Sequence, residues 1–187
     1  MSDAEAVPFQ VTRGGRAYDR ISRLPVALLL DNFRSLYNVG SLFRTADGAA
    51  VEQILLCGFT GTPPQNGIAK TALGAEKSVP WAHYESSFEA ALLYRERGYE
   101  IAAVETSIRS VDLFDWVPRF PVCLAFGNEL HGIGADLLET ADTHVRIPML
   151  GARHSLNVAT AAGVVVYELL RKYRSLAERL RCGPCTP

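Results

Sequence analysis

Lysine is nearly missing from this 187-residue chain: Lys70, Lys77 and Lys172 stand against sixteen arginines. With 19 basic and 20 acidic residues the formal net charge is −1, so no bulk positive charge announces a nucleic-acid partner. Arginine does suit bidentate phosphate contacts and stacking on bases, and an Arg-rich codon bias gives the same count. No apolar run approaches the ~18 residues needed to cross a bilayer. Residues 1–10 carry Asp3 and Glu5 and lack an apolar h-region, which reads against a secretory signal and makes the cytoplasm the expected compartment. Cysteine is sparse. Cys57 and Cys123 lie in apolar runs, as buried thiols do, and Cys182-Gly183-Pro184-Cys185 follows a long helix where a working redox pair opens one. A zinc set needs a second pair at ligand spacing, so no metal is expected. The chain also lacks a GxGxxG fingerprint, a Walker A loop and a G-x-S-x-G elbow, which weighs against dinucleotide, phosphate-loop and hydrolase chemistry.

What the chain has is alternation of short apolar runs with helical patterns. Residues 1–24 read as an irregular basic arm holding Arg13, Arg16, Tyr18 and Arg20, able to lie along a phosphate backbone or simply be solvated. Strands are expected at 26–30, 53–57, 81–84, 99–104, 122–126 and 144–147. Helices are expected at 39–49, 72–77, 88–97, 135–140 and 156–180, with a loop over 58–67. Continuous Val, Ile and Leu runs between helices indicate a parallel sheet covered on both faces. The fold class is α/β with five or six strands, and residues 25–187 form one domain without repeats or linkers.

In such sheets ligands bind beyond the carboxyl ends of the strands. Three of these ends are rich in polar and small residues. The first runs from Asp31 through Asn38, placed where a helix cap would be, to Gly40 and Arg44 on one helical face. The second is Gly127-Asn128-Glu129 followed by His131, Gly132 and Gly134, whose glycines free backbone N–H groups for a ligand. The third is Ile147-Pro148-Met149, then Ser155-Leu156-Asn157 opening a small-residue helix. Taken singly, each has a plain reading as cap, turn or packing.

Together and in this order, the segments resemble the three signature motifs of the SpoU (TrmH) branch of the SPOUT methyltransferase superfamily, over residues 26–170. The stretch from Lys70 to Glu76 is similar to family members as well. The resemblance implies a Rossmann-like sheet with a C-terminal deep trefoil knot at about 121–170, a rare exception to ordinary topology. It implies S-adenosylmethionine as cofactor, RNA as substrate, a homodimer with the active site near the subunit interface, and transfer of methyl to a ribose 2′-hydroxyl. Carried over by position, Arg44 activates that hydroxyl and Asn38 holds Arg44 or the RNA phosphate. Glu129 orients groups near the site, and Ser155 and Asn157 line it. Gly127, Ile147, Leu156 and Met149 match cofactor contacts, with Thr106 a further candidate. RNA contacts are expected from Arg13, Arg16, Arg20, Arg34, Arg109 and Arg153, and tRNA is set ahead of rRNA. A guanidinium has a pKa above ~12, so Arg44 acts either as a strongly perturbed base or as a donor to developing alkoxide charge. Two other readings stand beside this one: a knotted RNA- or cofactor-binding protein without catalysis, and a nucleotide-dependent oxidoreductase.

Overall fold

The computed structural model describes residues 23–182, with side chains to residue 178. Residues 1–22 of the expected basic arm, including Arg13, Arg16 and Arg20, lie outside the described residues, as does Cys185; the expected end of the arm at 24 is too late, because Leu24 already pairs in the first strand and is fully buried. Among the described residues seven strands form one sheet: β1 (Leu24–Asp31), β2 (Val51–Cys57), β3 (Trp81–Tyr84), β4 (Glu100–Val104), β5 (Val111–Asp112), β6 (Val122–Phe126) and β7 (Thr143–Arg146). Their order is β3-β2-β1-β6-β4-β7-β5, and every pairing is parallel. The α/β expectation holds. The seventh strand, β5, was not foreseen; two residues are too short for any hydrophobic period to register.

The helices are α1 (Leu36–Gly48), α2 (Asn66–Ala72), α3 (Ser87–Glu96), α4 (Ala135–Thr140) and α5 (Val158–Cys182). Side-chain alternation along β1 sorts the core into two halves. Val26, Leu28 and Leu30 pack with Leu42 and Phe43 of α1 and Val165 and Leu169 of α5. Ala27 and Leu29 face the other way, against Ala91 and Tyr94 of α3 and Leu137 of α4. Cys57 and Cys123 are buried free thiols as expected; burial pushes Cys57 up to about 12 and Cys123 higher still. Among the described residues, no helix is long and apolar enough to cross a membrane.

One expected helix is misplaced. The expected loop over 58–67 and helix over 72–77 give way to α2 at Asn66–Ala72, which ends on Leu73 in the left-handed region (φ 54°), and a 3-10 turn at Ala75–Lys77. Gly40 explains where α2 sits. A Cβ on Gly40 would lie 2.3 Å from the Ile68 carbonyl oxygen, so only glycine lets α1 and α2 approach this closely. The far end of the sheet is tied by Glu100, whose buried carboxylate accepts from Thr143 Oγ1 (2.7 Å), the Arg119 N–H (2.5 Å) and Trp116 Nε1 (3.2 Å). Lys172 of α5 fastens the same segment, donating from Nζ to the carbonyls of Leu113, Phe114 and Trp116.

Candidate active site

Because the strands are parallel, the chain leaves β1, β4, β6 and β7 at one edge of the sheet. Register places Leu30 beside Phe126, Ala103 beside Ala125, and Val104 beside Val145. The connections after β4, β6 and β7 line a cavity of about 370 Å³. Its wall includes all five residues expected to meet a cofactor: Thr106, Gly127, Ile147, Met149 and Leu156 share it. Small-molecule sites occupy roughly 300–1,000 Å³, so the volume suits a compact or bent ligand.

The loop after β6 is built for close approach. Asn128 and Gly132 exchange backbone N–H and carbonyl groups at 2.9 Å each way. The Asn128 side chain donates to the Asn32 carbonyl (2.6 Å) and accepts from the N–H groups of Leu130 (2.9 Å) and His131 (3.2 Å). A Cβ on Gly127 would stand 2.1 Å from the Gly132 carbonyl carbon and 2.3 Å from Ile133 N, so the strand end tolerates no side chain. Glu105, which the sequence reading missed, also lines the cavity; its carboxylate accepts from Thr106 N (2.9 Å) and Ile133 N (3.4 Å). It belongs to no motif, and a lone Glu after a strand gave no signal.

Beside the cavity the three strand-end segments meet through hydrogen bonds. Glu129 accepts from the backbone N–H groups of Arg34 (2.9 Å) and Ser35 (3.1 Å) and from Asn38 Nδ2 (2.9 Å). Asn38 Oδ1 in turn accepts from Asn157 Nδ2 at 3.3 Å. Asn157 Oδ1 caps α5, accepting from Ala159 N (2.9 Å) and Thr160 N (3.4 Å). Thus residues from positions 38, 129 and 157 form one polar row. Partial burial alone would raise the Glu129 carboxyl, but the donations from Arg34 N–H, Asn38 and Ser35 N–H outweigh it and hold it below its ordinary range. The cap of α1 is Ser35, whose Oγ accepts from Asn38 N; Asn38 is not the cap, and its side chain is thereby released to reach Glu129.

The remaining predicted residues divide. Ser155 is exposed on the cavity wall beside His154. Arg44 does not line this cavity. It opens onto a separate groove with Ser41, Thr45, Lys70, Thr71 and Tyr167, and the two recesses share no lining residue. Helix geometry is the reason: six residues from Asn38 is ~9 Å along α1 and about 120° around it. Among the described residues Arg44 has neither a hydrogen bond nor an ion pair, so its guanidinium is uncommitted. Arg34 borders a third recess. Arg109 and Arg153 are exposed and line none of these recesses.

A parallel α/β sheet with a compact cavity and a polar row at its carboxyl edge defines a small-molecule site of the strand-end kind. Comparison with known proteins gives the family: the profile of the SpoU rRNA Methylase family matches residues 25–167, and the chain belongs to that family. A putative TrmH family tRNA/rRNA methyltransferase of Bacillus subtilis, YacO, is 29% identical over 163 residues, covering 87% of this chain and 65% of its own length. The tRNA (guanosine(18)-2′-O)-methyltransferase of Aquifex aeolicus is 31% identical, over 76% of this chain and 67% of that protein. The crystal structure of the SpoU methyltransferase AviRb from Streptomyces viridochromogenes, in complex with AdoMet, superposes with a TM-score of 0.73 at 26% identity, over 80% of this chain and 60% of that one. The chain thus spans under two thirds of the length of the Bacillus relative.

Proposed function

We propose that this protein transfers a methyl group from S-adenosylmethionine to a ribose 2′-hydroxyl of RNA. The observation that carries the reading is the Glu129–Asn38–Asn157 row standing on the rim of the strand-end cavity. The cavity suits this cofactor on three grounds. Its volume is right, Gly127 leaves backbone exposed where any side chain would fill the cradle, and its wall mixes the apolar Ile147 and Leu156 with the Glu105 carboxylate. Apolar walls match a purine and a thioether-like chain, and a carboxylate matches ribose hydroxyls or a cationic centre. S-adenosylmethionine, when bound, supplies a methyl group on a sulfonium, already reactive toward an oxygen nucleophile.

The chain must then supply alignment and a way to relieve the hydroxyl of its proton. Correct alignment in oriented systems is worth up to ~7–11 kcal/mol. Asn38 and Asn157, each fixed by a partner, present amide groups at the rim for a sugar or phosphate, and Ser155 adds a hydroxyl. Arg44 serves as a donor to the oxygen as negative charge develops, because a guanidinium keeps its protons at neutral pH. A phosphate or water takes the proton.

Within one protomer Arg44 faces a different groove, so it reaches the target from a second copy. Support for a homodimer comes from apolar residues left exposed on α1, α5 and the loop before α5: Tyr37, Leu150, Val164 and Tyr167. The family fold adds a trefoil knot over about 121–170, with the catalytic domain running from β1 onward and the residues before it as an RNA-contacting arm. Arg34, Arg109 and Arg153 add surface contacts to RNA. The Aquifex relative's name favours tRNA over rRNA, and the cytoplasm is where such a substrate is met.

The test is transfer of tritiated methyl to bulk tRNA and rRNA, followed by alkaline digestion. A 2′-O-methyl group blocks strand cleavage, so label must appear in alkali-resistant dinucleotides. Label in mononucleotides alone would mean base methylation and overturn the ribose assignment; no transfer would favour a binding protein. Arg44→Ala should abolish transfer while S-adenosylhomocysteine binding persists. Co-expressed Arg44→Ala and Gly127→Ala chains should recover activity if Arg44 acts across the dimer, and should stay inactive if it does not.

A further inference from the structure

The same sheet edge carries a third recess, of about 440 Å³, bordered by Asn32, Arg34, Phe59, Asn128, His131 and Gly132. It is separated from the cofactor cavity only by the loop after β6, since Asn128 and Gly132 line both. Its most unusual member is Phe59, with 65% of its surface exposed. An isolated exposed phenylalanine is ordinary on a protein surface. Here, however, the backbone beneath the ring is fastened from several sides. The Phe59 N–H donates to Asn32 Oδ1 (3.2 Å), and Asn32, itself in the left-handed region at φ 55°, donates from Nδ2 to Asp31 Oδ1 (2.8 Å). Gly58 sits at φ 61°, where a Cβ would come within 2.1 Å of Asn32 Oδ1. Thr60 Oγ1 donates to the Cys57 carbonyl (2.6 Å) and accepts from Phe33 N (2.9 Å). The turn is therefore locked to the one after β1, and the ring is held out to solvent by a rigid support.

One guanidinium and one imidazole stand beside it. The Arg34 guanidinium and the His131 ring have no hydrogen-bond or ion-pair partner among the described residues, whereas the Asp31 carboxylate is engaged by Asn32 and by Gly134 N (3.1 Å). Arg34 is also tied to the methyl-transfer site, because its backbone N–H is one of the donors to Glu129. A rigid aromatic face with an uncommitted guanidinium is the equipment for stacking a nucleobase and holding its phosphate.

We infer that this recess receives the base of an unpaired nucleotide flanking the methylated one, stacked on Phe59, with Arg34 on the adjoining phosphate. The inference rests on the reading of the substrate as RNA. It places the strand across the loop after β6, one nucleotide on each side, so that only single-stranded RNA can satisfy both positions.

The probes are fluorescein-labelled oligouridylate and oligoadenylate of ten nucleotides and the duplex formed from them, read by anisotropy. Stacking of one base on an aromatic ring predicts that Phe59→Ala weakens single-strand binding roughly 5- to 150-fold. Phe59→Leu should be nearly as weak and Phe59→Trp should bind as wild type. Duplex binding, melting temperature and S-adenosylhomocysteine affinity should not change. Wild-type binding to Phe59→Ala, full rescue by leucine, or no binding of either single strand by the wild-type protein overturns the inference. The methyl-transfer assay on bulk RNA is read separately. If transfer fails while Phe59 governs strand binding, the methylation reading falls and the recess stands. If transfer succeeds with an unchanged RNA KM for Phe59→Ala, the reverse holds.

Discussion

Exchanging Glu129 for glutamine keeps the side chain's size, removes its charge and turns one of its two acceptor oxygens into an NH2 donor. Glu129 accepts three hydrogen bonds, two from the chain entering α1 and one from Asn38. Hydrogen bonds to charged groups are worth ~1.5–3 kcal/mol net and neutral ones ~0.5–1.5, so two bonds weaken by about 1 each and the third, left facing the new NH2, is lost at about 2. The site is half-buried, so screening removes about half of that sum; a negative charge near a helix N-terminus overlaps with the remainder. The expected destabilisation is about 2 kcal/mol, or about 4–8 °C in melting temperature for a domain of this size. The dependence on pH has a definite sign. The folded carboxyl lies below its ordinary value of 4.5, so the stabilisation is complete above 4.5 and fades as pH falls through the lower folded value. Urea melts of wild type and Glu129→Gln should differ by the full amount at pH 7 and converge in acid, other carboxylates being common to both. An equal gap at both pH values, or none at pH 7, would refute the electrostatic account of this contact.

Gly127→Ala should cost cofactor binding outright, because the new methyl group meets backbone at 2.1 Å and not a yielding side chain; calorimetry with S-adenosylhomocysteine checks this, and retained affinity would mean the loop moves freely. Asn157 separates two roles. Asn157→Ser keeps an oxygen to cap α5 but cannot span to Asn38, so it should fold normally and lose methyl transfer, whereas Asn157→Ala should in addition lose about 1 kcal/mol, or about 2–4 °C, in a thermal melt.

Strands β1 and β6 were legible because both are buried on both faces, which forces an unbroken apolar run: Val26 to Leu30 and Val122 to Phe126 leave no room for another element. Helix α2 was not, since its seven residues carry a single buried i,i+4 pair, Ile68 and Ala72, too short a period to stand out beside Asn66 and Gly67, and its place is set by α1 at Gly40. β5 exists only because β7 offers it an edge. At the site, Gly127 and Gly132 after β6, and Ile147, Met149, Ser155, Leu156 and Asn157 after β7, lie on the cavity wall where strand-end logic puts them, whereas Gly134 borders the neighbouring recess. The cap of α1 could not. Ser35 and Asn38 are equally good capping residues, and Glu129, 91 positions from Asn38, decides between them. Arg44's divergence from Asn38 follows from helical spacing alone, yet which surface it then meets is set by α2 and Tyr167, which no local pattern reveals.

Strand β6 lies between β1 and β4, although both precede it along the chain. During synthesis the first hundred residues therefore emerge with a gap at the centre of their sheet, and β1 waits with one bare edge until residue 122 is available. Such distant pairings are slow to form and leave sticky edges open meanwhile. A ribosome stalled before this point would hold a half-sheet whose open edge stays exposed to other chains until β6 arrives.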